Sequence, residues 1–468
     1  MKKGYVIPLK EKIAFGSGDA GVNLAFDAIN FYMLWFIVNV GAISPGMAGI
    51  IFLVAKVWDA VTDYFMGRIS DNTNSSMGRR RPYIMFGAIP FGLFFMAIWY
   101  VPELTEMGRF TYYLIVYILF NTAFTVVAVP YGALMAQMTQ NYDERTVLSS
   151  FRVGFSFIGT LLAAAGIPLI TDVIFSNYGR TTSFLYMGII FGAIMVIILW
   201  QAGLVSKERV EGDRKNYEGF FTTIGSFLKS SEFRKVTAMY LFNASGLAVI
   251  MALAIFYLDD VLKVGGDATI FMAIPILTAL VFAPISTYFI NKYGKKVSYM
   301  VAAIFMMTIL FIGLFVPPGN IVIIVSFLFL LGAGLAACQI IPMSILPDII
   351  DLDEYENGIR REGAFNGIIS FFNKAASGIA VGGVGLLLGY FGYVEASPDD
   401  AVAEIVQPES AITAVRVIIV VLPIIFFIIS TMIAYRFKLN KENFNEIVAE
   451  LEARRFKNEK STEKDQAN

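Results

Sequence analysis

Twelve apolar runs, each long enough to cross a bilayer as a helix, dominate this chain: near 14–41, 47–70, 83–102, 110–138, 149–175, 182–205, 236–262, 268–291, 297–316, 320–346, 364–393 and 411–436. A hydrocarbon layer about 30 Å thick takes about 20 residues of helix, and it holds no water to satisfy an open backbone. Barrel strands would show short stretches of alternating polarity, which these continuous runs lack. The composition, 57% hydrophobic and 16% charged, is equally far from that of a soluble domain. The chain reads as an all-α integral membrane protein with twelve transmembrane helices.

The polar segment "SKERVEGDRKNYEGFFTTIGSFLKSSEFRK" separates the sixth run from the seventh. It divides the chain into an N-terminal half, 1–205, and a C-terminal half, 236–437, joined by a loop over 206–235 and followed by a charged tail, 438–468. Lys2, Lys3, Lys10, Lys12, Arg79 to Arg81, Arg145, Lys292, Lys295, Lys296, Arg360 and Arg361 all fall on one side of the layer. The opposite loops "GAISPG" and "PPGN" carry no base, and "VEASPDDAVAEIVQPE" carries only acids. The positive-inside rule then makes both termini, the loop and the tail cytoplasmic, in a multi-pass protein of the cytoplasmic (inner) membrane. Trp99 and Trp200 fall at run ends and read as interfacial anchors. The polar start "MKKGYVIPLKEK" does not read as a cleavable signal.

The halves echo each other. "MGRISDNTNSSMGRRRPYI" follows the second run and "YFINKYGKKVSYM" the eighth, each placing Gly before a basic cluster. A repeated loop at corresponding places is what a major facilitator fold produces, with a cavity between the halves; two independent positive-inside loops are the competing reading. A net charge of −1 gives no argument for nucleic acid. The single cysteine, Cys338, excludes an internal disulfide. With no histidine, a proton relay would have to use carboxylates, Lys or Tyr. No P-loop or cysteine cluster points to an enzyme, a nucleotide or any other cofactor.

Charge inside the runs carries the functional argument. In "KVWDAVTDYFMGRISD", Asp59 and Asp63 sit one helical turn apart on one face, with Thr62 beside them. Each carboxylate at mid-membrane costs about 2.5–3.5 kcal/mol on insertion scales, so the pair needs a cation, a base or a proton. Two carboxylates and a hydroxyl suit a hard monovalent cation such as sodium, while a raised pKa would let them carry a proton instead. The structural alternative is an ion pair with Lys56 or Lys374. In "GSGDAGVNLAFDAINFYM", Asp19, Asn23 and Asp27 line one stripe with Asn30 nearby. Asp19 lies near the cytoplasmic end and reads as solvated. Asp27 is deeper, either a substrate contact or a structural hydrogen-bond acceptor. Thr125 and Pro130 lie in the fourth run. Arg152 opens the fifth as an anchor or a substrate contact, and Asn373 with Lys374 lies in the eleventh. Lys374 is ten residues into its run, too deep to snorkel comfortably.

"FLVAKVWDAVTDYFMGRISD", "GRRRPYI", "VPYGALMAQMTQNYDERTVLSSFR" and "PMSILPDIIDLDEYENGIRREG" together resemble the glycoside-pentoside-hexuronide:cation symporter family, the family of the melibiose permease, along all twelve runs. The resemblance implies a cation site of Asp59, Thr62, Asp63 and Thr125, and a cavity lined by Arg152 and Lys374. Thr62 stands where the permease has an asparagine that tunes cation choice. Asn23 and Ala128 replace sugar-binding aspartates, and Gly132 replaces an aromatic that stacks on the sugar, so a galactoside is disfavoured. The Asp-Ala-x-Thr-Asp form of the motif, "PYIMFGAIPFGLFFMAIWYVPE" and "FFNKAASGIAVG" also resemble the animal sodium-dependent lysophosphatidylcholine symporter.

The expectation is a cation-coupled secondary symporter, sodium ahead of proton, importing a sugar, glycoside or uronide by alternating access as a functional monomer among membrane lipids. Asn23, Asp27, Arg152, Asn373 and Lys374 are its expected substrate contacts. The alternatives are a sodium-coupled lysolipid symporter and a non-transporting membrane sensor.

Overall fold

The computed structural model describes residues 6–139, 142–209, 225, 230–264, 271–357, 362–395, 407–436 and 450. Its membrane-crossing helices are α1 (Leu9–Asn39), α2 (Pro45–Ser70), α3 (Arg81–Ile98), α4 (Glu106–Met135), α5 (Val147–Ile174), α6 (Arg180–Val205), α7 (Ser231–Val261), α8 (Ala273–Ile290), α9 (Lys295–Gly313), α10 (Ile321–Pro342), α11 (Phe371–Tyr390) and α12 (Glu409–Tyr435). Six precede and six follow the central segment; most of that segment, and all of the tail from 438 except residue 450, lies outside the described residues. The seventh helix begins at Ser231, inside the stretch expected as loop.

Local chemistry sets the boundaries. Ser44-Pro45 opens α2 with a proline whose missing N–H costs nothing in a first turn. The Thr105 hydroxyl accepts from Gly108 N at 3.3 Å to cap α4, and Ser230 accepts from Phe233 N at 3.4 Å to cap α7. Pro90, Pro130, Pro284 and Pro423 sit inside helices, tolerated where neighbouring helices shelter the freed carbonyl. The two echoing loops both turn on a glycine with positive φ, 106° at Gly78 and 81° at Gly294, a region that L side chains rarely adopt. The helix begun by α10 continues to Asn357, so most of the acidic "PDIIDLDEYEN" stretch is helix rather than loop.

Within the first half α1 packs on α5 and α6, and α3 on α4 and α6; within the second, α8 packs on α10 and α12 on α7 and α9. The halves meet along α2–α11, α1–α7 and α5–α8. Toward the end away from the chain termini the α2–α11 seam brings backbone against backbone. A Cβ on Gly49 would stand 2.5 Å from the Gly382 carbonyl oxygen, and one on Gly385 would stand 2.7 Å from that of Pro45. Bare glycines let two backbones approach where side chains would wedge them apart.

Trp99 corrects an expectation. It is fully buried, its ring 5.0 Å from Phe36, 5.8 Å from Phe95 and 5.7 Å from Phe184 between centroids. It is a core residue of the first half, since side chains of α1, α3 and α6 enclose its ring. Trp200 is 45% exposed, as a lipid-facing anchor would be.

Candidate functional site

Asp59 and Asp63 lie on successive turns of α2 and face α4 and α11. The Asp59 side chain is 2% exposed and that of Asp63 18%. From α4, Thr125 Oγ1 lies 3.0 Å from Asp59 Oδ1 and 2.7 Å from Asp63 Oδ1. One hydroxyl carries one proton, so it serves one carboxylate at a time. The Thr62 hydroxyl donates to the Asp59 carbonyl at 3.0 Å and stands 3.5 Å from Thr125 Oγ1.

From α11, in the other half, the Lys374 ammonium reaches both acids: 3.1 Å to Asp59 Oδ2 and 2.5 Å to Asp63 Oδ2. It also sits 5.5 Å from the Phe124 ring centroid. The ammonium supplies the positive charge that two adjacent carboxylates require in a low dielectric. The arrangement is an oxygen cage closed by a movable cation. A hard monovalent ion could take the same oxygens if Lys374 withdrew.

Lys56, the other candidate partner, makes no ion pair with either acid. It is 7% exposed, and its ammonium lies 5.6 Å from the Phe26 ring centroid. It lines a cleft with Phe26, Ile29, Asp59, Asn121 and Phe124 between α1, α2 and α4.

The polar stripe of α1 is spread over several partners. Asp19, expected to be solvated, is 7% exposed. Arg152 of α5 grips it through Nε at 2.5 Å and Nη2 at 3.1 Å, and the Tyr131 phenol donates to it at 3.1 Å. The guanidinium also lies 5.3 Å from the Tyr131 ring centroid. Helix-end position misled the reading, because α5 and α4 cover that end of α1. Asp27 is half-buried and accepts from the Thr160 hydroxyl of α5 at 2.5 Å. Asn23 donates to its own helix, at the Asp19 carbonyl, 2.8 Å. Asn373, next to Lys374, is half-buried. Asp59, Thr62, Asp63, Thr125 and Lys374 are therefore brought together, whereas Asp19 with Arg152 and Asp27 with Thr160 form separate contacts in the first half.

Three groups that spacing did not single out complete the frame. Tyr393, just past α11, donates to Asp260 of α7 at 2.7 Å, and its hydroxyl lies 3.3 Å from Asn39 Oδ1 of α1, tying the halves at the end away from the termini. Burial, reinforced by the Asp260 carboxylate, pushes this phenol well above its ordinary pKa, so it remains a donor at neutral pH. At the other end the Glu208 carboxylate accepts from the backbone N–H of Arg79, Arg80 and Arg81 at 2.7, 2.8 and 3.1 Å, capping α3. Ion pairs at that end among the described residues include Lys12 with Glu144 at 2.9 Å, Arg209 of the connecting segment with Glu11 at 2.6 Å and Lys295 with Asp348 at 2.7 Å. Burial pushes the Asp348 carboxyl above its ordinary range, against the pull of Lys295.

Two six-helix halves that meet over buried charge define a transporter of the major facilitator class. Residues 14–441 match the family described as MFS/sugar transport protein, and the chain belongs to that family. It is a multi-pass transporter of the cytoplasmic membrane, not an enzyme. The chain is 30% identical over 96% of both lengths to the uncharacterized symporter YnaJ of Bacillus subtilis. It is 26% identical, over 92% of this chain and 87% of the relative, to the sodium-dependent lysophosphatidylcholine symporter 1-B of Danio rerio. A bacterial homologue of the human lysosomal transporter Spinster, in an inward-facing, unoccupied conformation, shares the fold at a TM-score of 0.69, covering 92% of this chain and 98% of that one at 11% identity.

Proposed function

We propose that the chain is a secondary symporter that couples uptake of a small sugar-type solute to the entry of sodium. The single observation that carries this is the oxygen cage of Asp59, Asp63 and Thr125 around the Lys374 ammonium. Sodium arriving at the two carboxylates would displace the ammonium and release it toward the cavity, where solute binds. By linkage, solute would then raise sodium affinity as much as sodium raises solute affinity. Asn23, Asp27, Arg152 and Asn373 are the proposed solute contacts beside Lys374. With the termini in the cytoplasm, the glycine seam and the Tyr393 latch would lie at the outer face, and the state described would open inward.

Sodium is preferred to proton because the cage offers a hydroxyl oxygen as well as carboxylates. A lysolipid is the second reading, favoured by the similarity to the Danio rerio symporter. A non-transporting sensor would tolerate neutralisation of Asp59; a symporter would not. The test is uptake into proteoliposomes under an imposed sodium or proton gradient, with glycosides, uronides and lysolipids offered in parallel. Sodium-driven accumulation of a sugar supports the reading, and accumulation driven by a proton gradient alone, or of lysolipid alone, overturns the corresponding part.

A further inference from the structure

A cavity of about 50 Å³ lies wholly inside the second half, apart from the seam where the halves share their charges. Ile250 and Tyr257 of α7, Leu310 of α9, Leu331 of α10, and Ile419 and Val420 of α12 face it. It lies toward the end away from the termini, where α7 and α9 finish and α10 and α12 begin. One water needs about 10–15 Å³, so there is room for water, but water also needs two to four polar partners. The Tyr257 hydroxyl, the one hydroxyl among the lining side chains, is already given to the Gly313 carbonyl. The cavity is therefore suited to an apolar occupant. An apolar cavity of about 150 Å³ admits a benzene ring, so this smaller one takes the end of a single chain rather than a ring.

A charge stands at its edge. Arg416 precedes Ile419 and Val420 by one turn on the same face of α12. It is the only base of that helix, and Glu409, its only acid, is seven residues or about 10 Å distant along the axis. The guanidinium is near enough to Tyr257 to act on it electrostatically. Its Nε is buried, and among the described residues no acceptor meets it. A buried cation without a counter-ion is costly, so this one calls for an anion. At the same level α7 carries a π-helical turn, Tyr257–Val261, a feature that recurs at functional sites. The geometry points to a binding site for a fatty-acid anion, its chain end in the cavity and its carboxylate on Arg416. A planar guanidinium receives a carboxylate through two parallel hydrogen bonds. The occupant is a resident of the second half rather than cargo, since the site shares no residue with the cation cage. It would brace α7 against α12 behind the turn that carries Asp260 to the Tyr393 latch.

The experiment places the purified full chain in phosphatidylcholine nanodiscs. Thermal unfolding is followed with laurate, its neutral methyl ester or phosphatidylglycerol, for the wild type, Arg416→Gln, Arg416→Lys and Ala254→Leu. Laurate should raise the Tm, while the ester and phosphatidylglycerol should not. Arg416→Gln should raise the laurate concentration for half the effect at least about tenfold, as for loss of a hydrogen bond to a charged group. Arg416→Lys, which keeps the charge without the fork, should raise it less. Ala254→Leu, which fills the cavity, should abolish the laurate effect. A laurate analogue with a diazirine at its chain end should label residues that face the cavity in the wild type but not in Ala254→Leu. Equal Tm rises with laurate and its ester, a laurate effect unmoved by Arg416→Gln, or labelling confined to lipid-facing residues would overturn the inference. Stabilisation by phosphatidylglycerol but not by laurate would overturn the single-chain occupant.

Discussion

The Lys374 ammonium of α11 lies 2.5 Å from Asp63 Oδ2 of α2, an ion pair that crosses from one six-helix half to the other inside the helix bundle. Because Asp59 shares the same ammonium, the contact holds both carboxylates and both halves at once. Removing the lysine would leave two like charges buried side by side, and breaking a buried pair costs about 3–5 kcal/mol.

Lys374→Gln is therefore expected to lower the thermal stability of the purified protein in choline buffer and to regain most of it in sodium, which can neutralise the same oxygens. Differential scanning fluorimetry in the two buffers checks this. Equal loss in both would mean that sodium does not occupy the carboxylates.

Thr125 presents one hydroxyl to both acids. Thr125→Ala should weaken cation activation of uptake by about 13- to 160-fold, matching about 1.5–3 kcal/mol for a hydrogen bond to a charged group, while Thr125→Ser keeps most of it. The concentration of sodium giving half-maximal uptake is the readout. Similar values for the two variants would point to the methyl group rather than the oxygen.

The legibility of this molecule divides by range along the chain. The helices could be read because an unbroken apolar run has one low-energy fate in lipid, and Asp59 with Asp63 could be read because i,i+4 spacing fixes a shared face. Lys374 stood out by depth alone. Its partnership with residues 311 and 315 positions away is a tertiary fact that no local pattern encodes. Lys56 shows the limit of wheel arguments: its angular offset from Asp59 allowed a pair, yet its long stem turns toward Phe26. Asp19 was misjudged for the same reason as Trp99, since nearness to a helix end says nothing about which neighbours cover that end.

Arg152 and Asp19 form a forked pair beneath Tyr131. Arg152→Ala should destabilise the protein by about 3–5 kcal/mol, because a buried carboxylate loses its partner, and Arg152→Lys by less. Urea unfolding in detergent measures the difference. A stability change under about 1 kcal/mol in Arg152→Ala would mean that Asp19 is solvated after all.

The glycine seam leaves no room for a side chain. Gly385→Leu places a side chain against Pro45 and Gly49 and should hold the end away from the termini open. An Asn39→Cys reporter beside the Tyr393 latch should then react faster with a membrane-impermeant maleimide than the same reporter with Gly385 intact. An unchanged rate would mean that the seam yields without opening.

The central claim is that Asp59 and Asp63 hold the coupling cation, and direct binding of radioactive sodium to the purified protein tests it most closely. One saturable site is expected in the wild type, lost in Asp59→Cys and in Asp63→Cys, with cation-driven accumulation lost in both while solute exchange without a gradient persists. Undiminished sodium binding and uphill transport in both variants would contradict the account.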